Sequence, residues 1–371
     1  MSRNSSTMSL AQRLYNGQAS IDFVGRWRTW YLLSGVILLV SIAALGLRGL
    51  NLGIEFRGGS DYSLPAATCS IEDARVTAEQ ATGAQAIVTQ TSSGTIRVQT
   101  ETMAPEESAL VGKQLAEACG IPADSIKAQV VGPSWGGEIS KKALVGLAVF
   151  LALLTIFLSI YFEWRMAVAA LIALVHDLVI TVGIYALTGL EVTPATVIGV
   201  LTILGYSLYD TVVVFDKVKE NTRGILGQSV QTYSEAANLA VNQTLVRSIN
   251  TSIVALLPVL AIIIVGAGLL GAGTLLDLAV ALAVGMAAGA YSSIFIATPF
   301  LAQIKERQPQ IKALRTRVLA RRAQASRGAA EPDAGGGGEA DRGGSTAARP
   351  TAAAAQARQQ PRRPARAKRS R

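Results

Sequence analysis

Asp210 stands in the stretch from Gly205 to Asp216, GYSLYDTVVVFD, with apolar residues before it from Thr193 to Tyr209 and after it from Val212 to Phe215. A run of that length is about that of a bilayer-spanning helix. A carboxylate inside it costs roughly 2.5 kcal/mol or more on insertion scales, so its presence points to proton or ion coupling. The plainer alternative is a side chain that snorkels to the surface beside Asp216 and Lys217. Asp210 lies more than a helical turn inside those charges, which speaks against it.

Other polar residues fall within apolar runs. Tyr206, Ser207 and Thr211 flank Asp210; His176 and Asp177 lie near the middle of a second run; Arg247 stands at the mouth of a third, with Asn250, Thr251 and Ser252 one turn further in. Tyr291, Ser292 and Ser293 sit midway along a last run, with Asp277 near its end. Arg247 is the natural counter-ion for Asp210, because the two fall at similar depth on consecutive spans; a purely structural ion pair is the alternative. The single histidine has no cysteine or second histidine within reach, and no nucleotide-binding glycine loop or nucleophile triad is visible. Neither a metal, a cofactor nor an enzymatic reaction is expected.

The elements that must position these residues follow from composition. Half of the 371 residues are hydrophobic and only 6% aromatic, with a positive mean hydropathy, which excludes an ordinary soluble protein. The net charge of +9 belongs to the C-terminal end, where residues 302–371 hold 17 Lys/Arg against 5 Asp/Glu. The expected fold is a polytopic α-helical membrane protein with six transmembrane helices, at about 30–48, 143–162, 166–187, 193–215, 249–270 and 274–301. Residues 1–29 form an N-terminal arm, and Trp27 and Trp30 suit the headgroup layer. A cleaved signal peptide is disfavoured by the length of the first run and by the lack of a small-x-small pattern after it.

Residues 49–142, mixed in character, read as an extracytoplasmic α+β domain between the first and second helices. Glu55 to Leu64 reads as a strand interrupted at Gly58-Gly59, and Ser70-x-x-Asp73 opens a helix to about Thr82. Segments 85–91 and 95–100 form a hairpin, a second helix starts at Pro105, and Ile126 to Val131 closes a ferredoxin-like βαββαβ order. Cys69 and Cys119 then fall at one edge of that domain, which predicts either a disulfide or two unrelated thiols. Lys and Arg cluster in the N-terminal arm, at Arg165, from Lys217 to Arg223 and in the tail, so the positive-inside rule puts both termini and a polar loop, 216–248, in the cytoplasm. The tail 302–371 is expected to be mostly disordered, beyond about residue 325 in particular, and its basic residues to meet anionic lipid or ribosomal RNA, or else to serve only as a topogenic anchor.

Five motifs in order carry a resemblance: Phe56-Arg57-Gly58-Gly59, His176-Asp177, GYSLYDTVVVFDKVKE from Gly205, NQTLVRSINTS from Asn242 and GAYSSIFIATP from Gly289. Together, over residues 20 to 300, they resemble the SecF family, membrane subunits of the bacterial protein-export machinery within the resistance-nodulation-division superfamily. The resemblance implies a six-span subunit of the bacterial cell membrane that works with SecD at the SecYEG channel, together with SecA and YidC. It implies use of the proton gradient to help move preproteins, and it matches Asp210 and Arg247 to the membrane-embedded pair implicated in proton use. A proton-coupled transporter of small molecules or lipids, or a translocon scaffold without transport of its own, are the rival expectations.

Overall fold

The structure is a computed structural model that describes Arg13 and residues 20–65, 69–90, 94–269 and 276–330. Helix α1 (Trp27–Arg48) rises about 33 Å at 1.5 Å per residue, enough for a hydrocarbon core. Its exposed Leu32, Leu39 and Leu47 suit lipid, while Ser34, Ser41 and Ala44 face inward. Ahead of it, Phe23 and Val24 are buried. Their backbone amides are held by the side-chain oxygen of Asn238 at 2.8 and 3.2 Å, and Asn242 receives the amide of Ile21 at 2.8 Å.

After α1 come a two-residue strand β1 (Asn51–Leu52), a single helical turn α2 (Ile54–Arg57) and β2 (Gly59–Leu64). The expected long strand from Glu55 is therefore replaced by a turn and a strand. Gly58 adopts φ 80°, open to glycine at little cost, and a Cβ on Gly59 would meet the Thr100 carbonyl oxygen at 2.6 Å. Helix α3 (Ile71–Thr82) starts with a capping box between Ser70 and Asp73; β3 (Ile87–Gln90), β4 (Ile96–Thr100), α4 (Pro105–Ala118) and β5 (Lys127–Val131) follow. The four strands form an antiparallel sheet in the order β3-β4-β2-β5, which is the ferredoxin-like arrangement. Tyr62, Leu64, Ile96, Val98 and Leu115 fill its core. Cys69 and Cys119 are bonded across one edge, with Cα atoms 4.6 Å apart.

Helix α5 (Pro133–Tyr161) begins ten residues ahead of the expected span. Pro133 suits a first helical position, and Gly136 allows contact with the Phe56 backbone, where a Cβ would lie 2.7 Å from the carbonyl oxygen. Then come α6 (Trp164–Thr188), the short β6 (Glu191–Val192), paired in parallel with β1, and α7 (Pro194–Asn221). Helix α8 (Tyr233–Ala261) occupies much of the segment 216–248 expected as a loop. A Thr232 capping box starts it, and Tyr233, Ala236, Ala237, Ala240, Val241, Thr244 and Ser248 bury one continuous face. The seams are made of small residues, so the hydropathy of that stretch is low although its packing is tight.

A π-helical stretch (Ile262–Leu269) follows α8. The last span is one rod: α9 (Leu276–Ser292), a π-helical turn (Ser293–Ala297) and α10 (Thr298–Glu306). Among the described residues six helices are long and apolar enough to cross a membrane. Those of α6 and of the last rod are the more buried, and α1, α5 and α8 the more exposed. Helix α11 (Pro309–Ala330) occupies the first part of the tail, and its Leu314 and Val318 are fully buried with Ile225 and Ala236. Arg322 also pairs with Glu235 at 2.7 Å. The expected disorder and the basic cluster beyond residue 330 lie outside the described residues.

Candidate functional site

Helices α7 and α9 approach closely because glycines line their seam. A Cβ on Gly285 would lie 2.4 Å from Ile203, and one on Gly289 would lie 2.7 Å from the Ser207 Cβ. This closeness, together with the π-helical turn after Ser292, sets hydroxyls against two carboxylates. Widened turns of this kind recur at functional sites. Here the turn leaves the Ser293 carbonyl to the Thr298 hydroxyl, at 3.2 Å.

Asp210 on α7 is 6% exposed. Its Oδ1 accepts from the Ser248 hydroxyl of α8 at 2.5 Å and its Oδ2 from the Ser293 hydroxyl at 2.5 Å. Asp177 on α6 is 1% exposed; its Oδ2 accepts from Ser207 at 2.5 Å and from Ser292 at 2.8 Å, and its Oδ1 lies 3.1 Å from His176 Nδ1. Ser207 and Asp210 stand one turn apart on α7, and Ser292 and Ser293 are neighbours, so four helices bring two serine-held carboxylates into one buried cluster. Thr211 donates to the Ser207 carbonyl at 3.2 Å.

A serine hydroxyl both donates and accepts. The same pair of serines therefore bonds a carboxylate as donors or, with one hydroxyl turned, receives the proton of a carboxylic acid. Neither protonation state leaves a buried polar atom unpaired, whereas an arginine, always a donor, would favour the anion alone.

The expected pairing of Asp210 with Arg247 is not present in this structure. Consecutive helix residues point about 100° apart, and Ser248 takes the direction of Asp210. Arg247 turns to an exposed flank of α8, where its Nη2 lies 3.4 Å from the Tyr209 hydroxyl, in a groove shared with Tyr161, Asp216, Lys217 and Asn250. Tyr206 donates to the Thr251 carbonyl at 3.0 Å and lies against Ser252. Among the described residues no hydrogen bond joins them, or Asn250, to either carboxylate. Tyr291 stacks on His176 with centroids 6.1 Å apart and bonds Ser34 at 3.0 Å. Ser248 was not singled out by sequence reasoning; its signal is the Thr244/Ser248 pair, hydroxyls spaced along the buried face of a helix.

On the side of the bundle that bears the sheet, Arg97 of β4 donates from Nε to Asp61 at 3.1 Å and from Nη1 to Glu191 at 3.0 Å, and Gln99 joins Glu191 at 2.9 Å. Burial works against the charge of Arg97, but the hydrogen bonds and charges of Asp61 and Glu191 outweigh it and push the guanidinium above its ordinary value. Glu191 precedes α7, so this cluster and the β1–β6 pairing tie the α+β domain to the helix that carries Asp210. No group of acids, histidines and cysteines suited to a metal occurs among the described residues.

The family model for the protein export membrane protein SecD/SecF, C-terminal, matches residues 111–307, and that for the SecD/SecF GG motif matches residues 43–66. The chain belongs to the SecD/SecF family. It is 52% identical over 317 residues to the protein translocase subunit SecF of Streptomyces coelicolor, covering 85% of each chain. It is 42% identical to SecF of Mycobacterium tuberculosis, over 89% of this chain and 77% of that one. The crystal structure of SecDF from Thermus thermophilus, a translocon-associated membrane protein, superposes with a TM-score of 0.70 at 29% identity, covering 81% of this chain and 40% of that chain. The first matched region contains every residue of the carboxylate cluster, and the Gly58-Gly59 pair at the start of β2 lies in the second motif.

Proposed function

We propose that this protein-export subunit uses the proton gradient across the bacterial cell membrane, together with a SecD partner, to help move preproteins through the SecYEG channel, alongside SecA and YidC. Asp210 is the proton-binding group, and no bond-making chemistry is assigned to the chain. Both termini lie in the cytoplasm and the α+β domain on the far side; the arginines and lysines at Arg165, Lys217, Lys219 and Arg223, at the end of the bundle opposite the sheet, support that orientation. Arg247 acts in the same reading beside Asp210 on the cytoplasmic side, in the groove with Tyr209. The basic segment after residue 330 meets anionic lipid or the ribosome.

The observation that carries this reading is the coordination of Asp210, a buried carboxylate held by two hydroxyls and by no arginine or lysine among the described residues. Because such a site accommodates either protonation state, it can bind and release a proton as α7, α8 and the last rod shift against one another. The Arg97–Glu191 tie gives that shift a route to the α+β domain. Purification of the tagged full chain from membranes tests the assignment: SecD and channel subunits are expected in the same complex. A chain that purifies alone, as a self-sufficient dimer moving small molecules or lipids, would overturn it in favour of a transporter.

A further inference from the structure

His176 is the one histidine of the sequence, and it is 5% exposed. Its Nδ1 faces Asp177 Oδ1 at 3.1 Å, while its Nε2 is buried with no hydrogen-bond partner among the described residues. The groups that bond or stack on the pair among the described residues are neutral: Ser207 from α7, Ser292 and Tyr291 from α9, and, through the Tyr291 hydroxyl, Ser34 from α1. No lysine or arginine makes an ion pair with either side chain among the described residues. The next acid along the cluster is Asp210. Ser207 stands three residues nearer than Asp210 to the end of α7 that meets the sheet, about 4.5 Å along the axis, so the Asp177 side of the cluster is offset toward the α+β domain.

We propose that His176 and Asp177 form a second proton-binding station in this chain, on the domain side of Asp210. The inference rests on the reading of Asp210 as the proton-coupling group. With the neutral imidazole donating its Nδ1 proton to the Asp177 carboxylate, Nε2 is left as a buried acceptor. A proton arriving at Nε2 forms an imidazolium beside the carboxylate. Transfer of the Nδ1 proton to Asp177 Oδ1 then leaves a neutral imidazole carrying its proton on Nε2 and a neutral carboxylic acid; the pair has gained one proton and the internal step changes no net charge. The hydroxyls of Ser207 and Ser292 remain bonded to Oδ2 in both states. Ser207, which bonds the station from α7, stands about one turn from Asp210 on that helix, and the neighbouring serines Ser292 and Ser293 touch one carboxylate each, so the cluster offers a stepwise route rather than a single stop.

The single histidine makes the test direct. Full-length chain labelled with ¹⁵N-histidine, reconstituted in lipid with its unlabelled partner, gives one imidazole in solid-state NMR. The expected result is a change of imidazole protonation or tautomer on titration from alkaline to acid. It should persist in Asp210→Asn and be displaced about tenfold or more in proton concentration in Asp177→Asn. Where Asp177→Asn does not assemble, Ser292→Ala keeps both titrating groups, removes one donor to Asp177, and should displace the titration in the same experiment. An imidazole that stays neutral in one tautomer throughout, or whose titration neither variant moves, overturns the station. Since the readout needs no export, normal gradient-driven export by Asp210→Asn would refute the reading of Asp210 while leaving this measurement to decide the station by itself.

Discussion

Gly289→Ala introduces one methyl group at the seam on which the carboxylate cluster depends. The new Cβ would lie 2.7 Å from the Cβ of Ser207, 2.9 Å from its hydroxyl oxygen and 3.1 Å from its Cα. Atoms of this kind pack at about 3.5 to 4 Å, so α7 and α9 must part by close to 1 Å. Overpacking of a tight interior costs about 1–3 kcal/mol. The separation also stretches the 2.5 Å bond from Ser207 to Asp177, and a hydrogen bond to a charged group contributes about 1.5–3 kcal/mol. The sum is about 2.5–6 kcal/mol. The second substitution that isolates the clash is Ser207→Gly, which removes two of the three colliding atoms. In a double-mutant cycle read by thermal or denaturant unfolding of the full chain in lipid nanodiscs, the pair should recover about 1–3 kcal/mol relative to the sum of the single effects. Additive single effects, or a Gly289→Ala variant as stable as the unaltered protein, would refute the seam as described.

Three further outcomes follow from the same geometry. Replacing Cys119 with Ser opens a bridge between residues separated by 50 positions, which in the chain-entropy model removes about 4 kcal/mol; proteolysis of the α+β domain in intact membranes should become markedly faster, and an unchanged rate would contradict a stabilising bridge. Arg97→Ala leaves Asp61 and Glu191 without their partner; the loss should be less than the roughly 3–5 kcal/mol of a fully buried pair, because the Arg97 side chain is 34% exposed. Hydrogen exchange at residues 59–64 and 191–192 should rise together, and a rise in the sheet alone would argue against the tie. Leu314→Ala, at a fully buried position of α11, should cost about 2–5 kcal/mol of docking and expose α11 to protease in inverted vesicles; persistent protection would place the stability of that helix elsewhere.

The apolar runs, the capping box at Ser70, the hairpin spacing and the edge shared by Cys69 and Cys119 are all properties of local sequence, and the six spans and the sheet order follow from them. Depth along the membrane is legible too, since each helical residue advances by a fixed rise; Asp210, Ser248 and Ser293 do meet at one level. Direction around the helix axis is a different quantity. Arg247 and Ser248 occupy nearly the same depth, and only the packing of α8 against α7 decides that the serine meets Asp210 while the arginine meets Tyr209. The same limit hid α8 between Tyr233 and Ser248, whose alanine-rich seam reads as weakly apolar, and α11, whose three buried residues Ile311, Leu314 and Val318 are outnumbered by arginines. The π-helical turn at Ser293 has no sequence signature that separates it from the helix around it.

The most direct test of the central claim is translocation of a preprotein into inverted membrane vesicles, with and without a proton gradient, comparing the unaltered protein with Asp210→Asn. The amide keeps the volume of the carboxylate, and Ser248 and Ser293 can still bond it, so the variant should insert and assemble with its partner. Its export should lose the stimulation that the gradient gives the unaltered protein. Full gradient-dependent stimulation in the Asp210→Asn vesicles would make Asp210 a structural residue and contradict the account.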